Sequence, residues 1–175
     1  MAKKLLFLLV VPFALFAQNL SLIDGNIKAH TEVFGDSTID PQTKKISVDL
    51  SRDDTIESLR GKVLINALDL VSDNSDRDEH MYEAIGVKEF ASIVFEIKKV
   101  IKVQEQYMLG GELTLHGVTK LLSVPVTFEN NGADIKLVSK FSILMSEYGI
   151  EPPTLLFLTV RDQVDIDVNL QLKGK

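Results

Sequence analysis

The sequence predicts an all-β protein, an eight-stranded antiparallel β-barrel with one or two short helices. Apolar and polar residues alternate in about eight segments of the 175-residue chain, as they do in strands with one buried and one exposed face. Turn signals separate these segments, and no pattern is typical of a long helix. A barrel is favoured over a sandwich because closure leaves no unpaired strand edge.

The first half of the chain contains strand patterns and one helix signal. Residues 27–33 and 45–51 alternate cleanly between apolar and polar side chains, which predicts two strands. Residues 54–57 have capping-box spacing, in which an Asp side chain accepts from first-turn amides, and Gly61 is expected to end that turn. Residues 62–70 predict a strand that is apolar on both faces.

A second capping-box spacing, at residues 76–79, predicts a short helix that runs through Ile85 and ends at Gly86. Residues 93–103 then alternate as a strand. These two signals place the second helix between strands in the middle of the chain.

The second half reads as consecutive hairpins. Residues 107–115 and 120–129 alternate on either side of Gly117, where the chain reverses. Asn131-Gly132 is a strong hairpin signal and precedes the alternating segment 134–145. The last strand is predicted over residues 164–172. Periodicity does not decide whether the apolar segment 155–160 is a strand, a short helix or a lid.

Length, charge and cysteine content limit the classes of protein to which the chain can belong. A chain of 175 residues with 45% hydrophobic content predicts one domain with a sizeable core. Its net charge of −6 argues against nucleic acid as a partner, because phosphate binding needs clustered Lys and Arg. The absence of cysteine excludes disulfides, thiolate catalysis and cysteine-ligated metal.

Residues 1–17 predict a signal peptide with an approximate cleavage point after Ala17, and residues 18–175 form the predicted mature domain. Lys3 and Lys4 precede an apolar run that is shorter than the roughly 20 residues needed to span a bilayer. An uncleaved anchor or a buried N-terminal helix is the alternative. We therefore expect a soluble periplasmic or secreted protein.

Several short segments resemble one family. Residues 111–120 resemble the Gly-x-Leu-Thr-x-His-Gly-Val-Thr-(Lys/Arg) hairpin of the YceI family, and residues 77–81 resemble its Arg-Asp-x-His-(Leu/Met) segment. Residues 90–95 are similar to its Phe-x-x-Ile-x-Phe segment, although Ala91 stands where the family often has proline. Residues 147–150 and 162–166 resemble its acidic-aromatic-Gly-Ile and Asp-x-Val-x-Ile segments. Residues 20–51 match only loosely.

This resemblance implies a small secreted bacterial protein that binds an amphipathic lipid inside a lipocalin-like barrel. The implied ligands are a polyisoprenoid, an isoprenoid quinone or a fatty-acid derivative, and the implied roles are transport, storage or stress response. Strand alternation by itself leaves open whether the interior holds a ligand or is filled by side chains.

The inward-reading phase of the strands nominates residues for ligand contact, some of which are expected to close the barrel end instead. These are Val48, Leu50, Ile65, Phe95, Ile97, Leu109, Leu113, Leu115, Val126, Phe128, Leu137, Phe141, Ile143, Met145, Ile166 and Val168. The mouth is predicted from residues that flank irregular segments, namely Met81, Phe90, Leu155 and Phe157.

Catalysis and metal binding have little support in the sequence. Asp78 and His80 offer an acid and a base, but residues two apart do not face each other on a helix. We expect the segment from Arg77 to His80 to be architectural, with Arg77 and Asp78 fixing the loop and the helix start through hydrogen bonds and charge pairing. His30, His80 and His116 lie on separate predicted elements, so no metal site is expected. The sequence also lacks a nucleophile elbow and a phosphate-binding glycine loop, which argues against catalysis. No cofactor is expected.

Two alternatives to a lipid-binding protein are left open by the sequence. One is an enzyme that modifies a lipid through Asp78 and His80, and the other is a ligand-free structural or interaction barrel. The sequence also leaves open whether the protein acts as a monomer or a homodimer.

Overall fold

Eight long antiparallel strands dominate the computed structural model, which describes residues 17–33, 37–132, 134–155 and 158–174. The predicted signal peptide lies almost entirely outside these residues. The strands are β1 (Gln18–Val33), β2 (Ile46–Arg52), β3 (Arg60–Asn66), β4 (Ser92–Val103), β5 (Gln106–Leu115), β6 (Val118–Asn131), β7 (Asp134–Leu144) and β8 (Gln163–Gly174).

The sheet closes on itself in sequence order. Each strand pairs with the next, and β1 returns to pair with β8 from Leu20–Gly174 to His30–Asp165. The contact between β1 and β2 is confined to the start of β1, and the short strands Gln42–Thr43 and Ser37–Ile39 pair with β1 further along. The predicted eight-stranded antiparallel barrel is confirmed.

Two of the connecting turns follow directly from the residues that form them. His116 and Gly117 both have positive φ angles, 50° and 70°, which is the twist that a two-residue hairpin needs between β5 and β6. Gly132, with φ 68°, serves the hairpin between β6 and β7. Both hairpins lie where the sequence predicts them.

The helix in the middle of the chain, α1 (Ser75–Ile85), is confirmed, and Gly86 ends it in the left-handed conformation. Its predicted cap is wrong. The side chain of Asn74 accepts from the amides of Asp76 and Arg77, each at 3.1 Å, so residues 76–79 lie inside the helix. The sequence offers two possible N-caps here, Asn74 and Asp76. Asn74 is the residue that caps α1, and its backbone has the extended conformation of an N-cap.

The helix predicted at residues 54–61 is reduced to one 3₁₀ turn, Ile56–Ser58. No Asp side chain caps it; instead the Ser58 hydroxyl donates to the carbonyl of Thr55 and accepts from the amide of Asp53. Gly61 does not end this turn but lies within β3. The predicted helix was wrong because Ser58 closes the loop on itself within a single turn.

The strand predicted over residues 62–70 ends earlier than expected. β3 stops at Asn66, whose side chain accepts from the amide of Leu68 at 2.9 Å and starts the 3₁₀ turn Ala67–Asp69. The segment that the sequence left undecided contains a small ribbon in which Thr154–Leu155 pairs with Leu158–Thr159.

Side chains fill the end of the barrel at which β1 begins, which is called the closed end below. Ile56, the first residue of the 3₁₀ turn, and Leu59, which follows the turn, are both buried. They pack in one apolar cluster with other buried residues from every long strand except β3, among them Leu20, Leu50, Val100, Val126, Ile135 and Leu172, and Val63 of β3 packs against this cluster.

Candidate functional site

A cavity of about 230 Å³ occupies the other half of the barrel. Its floor consists of residues that also belong to the closed-end cluster, namely Ile97, Leu109, Val124, Leu137 and Leu170. The closed-end cluster therefore seals the cavity below, and access lies at the opposite end.

The cavity wall follows from strand register. Phe95 on β4 stands opposite Leu113 on β5, and Phe141 on β7 stands opposite Ile166 on β8. Directly paired residues point to the same face of a sheet, so these side chains all enter the interior. All four line the cavity.

The position of the Phe95 ring depends on Gly111 of the neighbouring strand. Gly111 lies on the inward phase of β5, and a Cβ built there would stand 2.9 Å from Cζ of Phe95. The aromatic ring therefore lies across the bare backbone of the neighbouring strand. A Cβ at Gly111 would also stand 2.3 Å from the carbonyl oxygen of Glu96, so both the ring and the neighbouring backbone require glycine here.

The hydroxyls of Ser139 and Thr31, which line the cavity, are directed at backbone carbonyls. The Ser139 hydroxyl donates to the carbonyl of Pro125 at 2.6 Å. The Thr31 hydroxyl faces the carbonyls of Arg161 and Gln163, each at 3.0 Å. Since these hydroxyl protons are already directed at backbone acceptors, the surface offered to a ligand is almost entirely apolar.

Helix α1 lies over the open end of the barrel, which is called the mouth below. The residues of α1 that line the cavity are spaced i, i+3, i+4, i+7 and i+8, so one helix face looks inward. They are Arg77, His80, Met81, Ala84 and Ile85, and the rest of the mouth is formed by Ile39, Pro41, Pro153 and Val160.

Two buried contacts hold α1 in this position. Both carboxylate oxygens of Asp78 accept from the amide of Ser72 at 3.0 Å, and Asp78 is only 9% exposed. The Tyr82 hydroxyl donates to the carbonyl of Leu70 at 2.7 Å, and burial raises the pKa of this phenol. Asp78 and Tyr82 therefore fasten the helix to the loop before it.

We expect Asp78→Asn to lower the free energy of unfolding by about 1 kcal/mol. Asparagine keeps one acceptor oxygen but loses the charge that strengthens the Ser72 bond. Urea unfolding measures the change in the free energy of unfolding. Asp76→Asn is the control, because it also removes one negative charge from the first turn of α1 but at an exposed position. Equal losses in the two variants would contradict the role given to the Ser72 contact.

Ion pairs on the outer surface fasten the segment that carries Ile39 and Pro41. Asp40 lies 2.6 Å from Nδ1 of His30 and 3.1 Å from Nζ of Lys28, both on β1. The hydrogen bond that the His30 ring donates to Asp40 raises the pKa of His30 and lowers the pKa of Asp40. His30, which borders the cavity, is therefore held at the rim by Asp40.

A second polar network lies beside the mouth on β8. The carboxylate of Asp165 accepts from the hydroxyl of Ser142, the amide of Gln163 and the guanidinium of Arg161 at 2.5–2.6 Å. These hydrogen bonds lower the pKa of Asp165 to about 2. A fully paired, exposed carboxylate of this kind ties strands together and offers no free base.

The family assignment rests on the sequence model of the YceI-like domain, which matches residues 23–172. The chain belongs to the YceI-like domain family. A UPF0312 protein of Pseudomonas fluorescens strain SBW25 is 27% identical over 160 residues, which cover 86% of this chain and 73% of that protein. The UPF0312 protein VVA0736 of Vibrio vulnificus strain YJ016 is 30% identical over 142 residues, covering 76% and 75%.

Solved structures of other YceI-like barrels share the fold. Burkholderia cenocepacia BcnA superimposes with a TM-score of 0.74 at 18% identity, over 84% of this chain and 95% of that one. A polyisoprenoid binding domain from Saccharophagus degradans, implicated in plant cell wall breakdown, gives a TM-score of 0.68 at 12% identity, over 91% and 99%.

The YceI-like barrel brings most of the residues nominated from the sequence to the cavity. Those that line it are Ile65, Met81, Phe95, Ile97, Leu109, Leu113, Leu115, Leu137, Phe141, Ile143, Met145, Ile166 and Val168. Contact between these side chains and a lipid stays a prediction.

The other nominated residues lie elsewhere. Leu50 and Val126 are buried in the closed-end cluster, and Val48 and Phe128 pack against it. Phe90 packs edge-on against the ring of His116, with 4.9 Å between centroids, and does not line the cavity. The side chain of Leu155 and the whole of Phe157 lie outside the described residues.

Several residues that line the cavity were not predicted from the sequence. Ile27 and Ala29 on β1, and Val164 on β8, follow the same inward alternation and could have been found from it. Arg77, His80, Ala84 and Ile85 could have been found from their helical spacing. Ile39, Pro41, Pro153 and Val160 come from short irregular segments, for which no periodic signal exists.

The acid and base of the enzymatic alternative are not brought together. Asp78 is engaged by the amide of Ser72, whereas His80 is exposed on the cavity face of α1. In the described part of the chain, no three His, Asp or Glu side chains cluster closely enough to hold a metal ion. No helix within those residues has the length and apolar character needed to cross a membrane.

Proposed function

We propose that this YceI-like protein binds one long apolar or amphipathic lipid in its barrel. The observation that carries the proposal is the cavity, which has an apolar wall, a floor formed by the closed-end cluster and helix α1 over its mouth. Transfer of a hydrocarbon tail from water into such a space is favourable by about 0.8 kcal/mol per methylene. A long tail can therefore bind without many polar contacts.

The candidate ligands are a polyisoprenoid, an isoprenoid quinone or a fatty-acid derivative, carried for transport, storage or stress response. The polyisoprenoid binding domain of Saccharophagus degradans supports the first, because it has the same fold. The basic start, apolar run and Ala17 of the N-terminal segment support export to the periplasm or beyond.

The cavity favours this function over the two alternatives. A ligand-free structural barrel needs no apolar space that opens to one end, and side chains would be expected to fill it. A lipid-modifying enzyme would need Asp78 facing the cavity, whereas its carboxylate accepts from the amide of Ser72.

Native mass spectrometry of the protein purified from its own cells, followed by lipid extraction, tests the proposal. We expect one lipid per barrel and an intact mass that lacks residues 1 to about 17. The same spectrum reports whether the protein is a monomer or a homodimer. Protein that carries no lipid and takes up none on incubation would refute the binding function, and a retained N-terminus in the membrane fraction would refute export.

A further inference from the structure

The floor of the cavity is one layer of apolar side chains from five strands. Leu137 on β7 is directly paired with Leu170 on β8, and Leu109 on β5 is directly paired with Val124 on β6. Ile97 on β4 completes the layer. Because directly paired residues point to the same face of a sheet, these side chains meet inside the barrel. All of them are buried, with exposed fractions of 1–5%.

The layer of side chains beneath the floor is not part of the cavity. Ile135 and Leu172, two residues nearer the closed end on β7 and β8, are directly paired with each other, and Val126 occupies the same layer on β6. These three belong to the closed-end cluster and are at most 1% exposed, and none of them lines the cavity. Since protein interiors are close-packed, a hydrocarbon chain that reaches the floor must stop there.

The space above the floor is small compared with a long lipid tail. The cavity volume is about 230 Å³. An apolar cavity of about 150 Å³ holds one benzene molecule, so a cavity of this size holds about ten carbon atoms at the same density. That amount of hydrocarbon corresponds to about two isoprene units. A longer tail therefore has only its end inside the barrel.

We propose that the floor limits recognition to about the last ten carbons of a hydrocarbon tail, and that Leu137 and the other floor residues determine this length. This inference rests on the proposed lipid-binding function and names the part of the ligand that the same site recognises. The tail end enters first, because a polar headgroup would lose its hydration against apolar side chains. Carbons beyond the limit stay at the mouth or outside it and add little affinity.

Straight-chain primary alcohols from hexanol to hexadecanol test the length limit, because they share one headgroup and differ only in the tail. For the wild-type protein we expect affinity to rise about fourfold with each added methylene, equivalent to about 0.8 kcal/mol, until the tail has about ten carbons. Longer alcohols should then bind about equally. Displacement of the dye anilinonaphthalene sulfonate measures the affinities, with each alcohol below its solubility limit.

The Leu137→Ala protein should accept a longer tail. This substitution removes three carbon atoms from the floor, so we expect the affinity to level off about three carbons later than in the wild-type protein. Leu50→Ala is the matched control, because both leucines are 2% exposed but Leu50 lies in the closed-end cluster and does not line the cavity. In the control, the tail length at which affinity levels off should stay unchanged.

A milder floor variant covers the case in which Leu137→Ala does not fold, as judged by circular dichroism. Val124→Ala removes two carbon atoms from the same layer, and we expect its length limit to increase by about two carbons.

The outcomes separate this inference from the function on which it rests. Affinity of the wild-type protein that rises by the same factor up to hexadecanol would overturn the length limit and leave lipid binding intact. A limit that is unchanged in the folded floor variants, or that shifts equally in Leu50→Ala, would overturn the role of the floor. Failure of every alcohol to bind would count against the proposed function itself.

Discussion

The Ile143→Trp protein should fold as a barrel but lose most of its capacity for lipid. Ile143 is 7% exposed, stands opposite Val164 and lines the cavity. An indole at this position adds volume to a space of only about 230 Å³ while the wall stays apolar. Overpacking is expected to cost about 1–3 kcal/mol of stability, so binding must be measured on protein shown to be folded.

Leu144→Trp is the matched control for that experiment. Leu144 is the next residue on β7, is 40% exposed and points to the outer face, so the same indole is added outside the barrel. Titration with geranylgeraniol and native mass spectrometry compare the two variants. An Ile143→Trp protein that is folded and binds with wild-type affinity and stoichiometry would show that the tail does not pass this point.

The face on which each strand residue lies could be predicted from the sequence, because side chains alternate along a strand with a period of two. Phe95, Phe141 and Ile166 read as inward residues and do line the interior. The closed meander also follows from the short turns that join β5, β6 and β7.

The depth of each residue in the barrel could not be predicted in the same way. Leu50 and Val126 alternate as regularly as Phe95, yet they lie in the closed-end cluster below the cavity. Height along the barrel depends on the stagger between neighbouring strands, to which a period of two is insensitive. The pairing of β4 with β5, for example, contains a register shift between Ile97 and Lys99, which changes the stagger of these two strands.

Helix signals were less secure than strand signals because polar residues that suit a cap also suit a turn. The spacing at residues 54–57 resembled a helix start, but Ser58 closes a single turn there. The glycine that was expected to end this helix, Gly61, has a different role. It lies inside β3 with a φ of 120°, paired with Leu50 on β2 and Ile97 on β4.

Gly61→Ala is therefore expected to lower the free energy of unfolding by about 3 kcal/mol or more, the largest loss of stability predicted here. A Cβ at this position would stand 2.0 Å from the carbonyl oxygen of Asp49, which belongs to the paired strand and cannot move without breaking the β2–β3 ladder. The φ angle also lies in a region that L-residues rarely adopt, which adds strain.

Gly132→Ala separates the clash from the backbone strain. Gly132 also has a positive φ, 68°, but a Cβ there would meet nothing within 4 Å. We expect this control to cost only about 1 kcal/mol, the usual penalty for alanine in the left-handed region. Denaturant unfolding of both variants measures the difference. Equal losses would show that β2 and β3 can separate enough at Gly61 to admit a methyl group, and that close approach of the two strands does not make glycine necessary there.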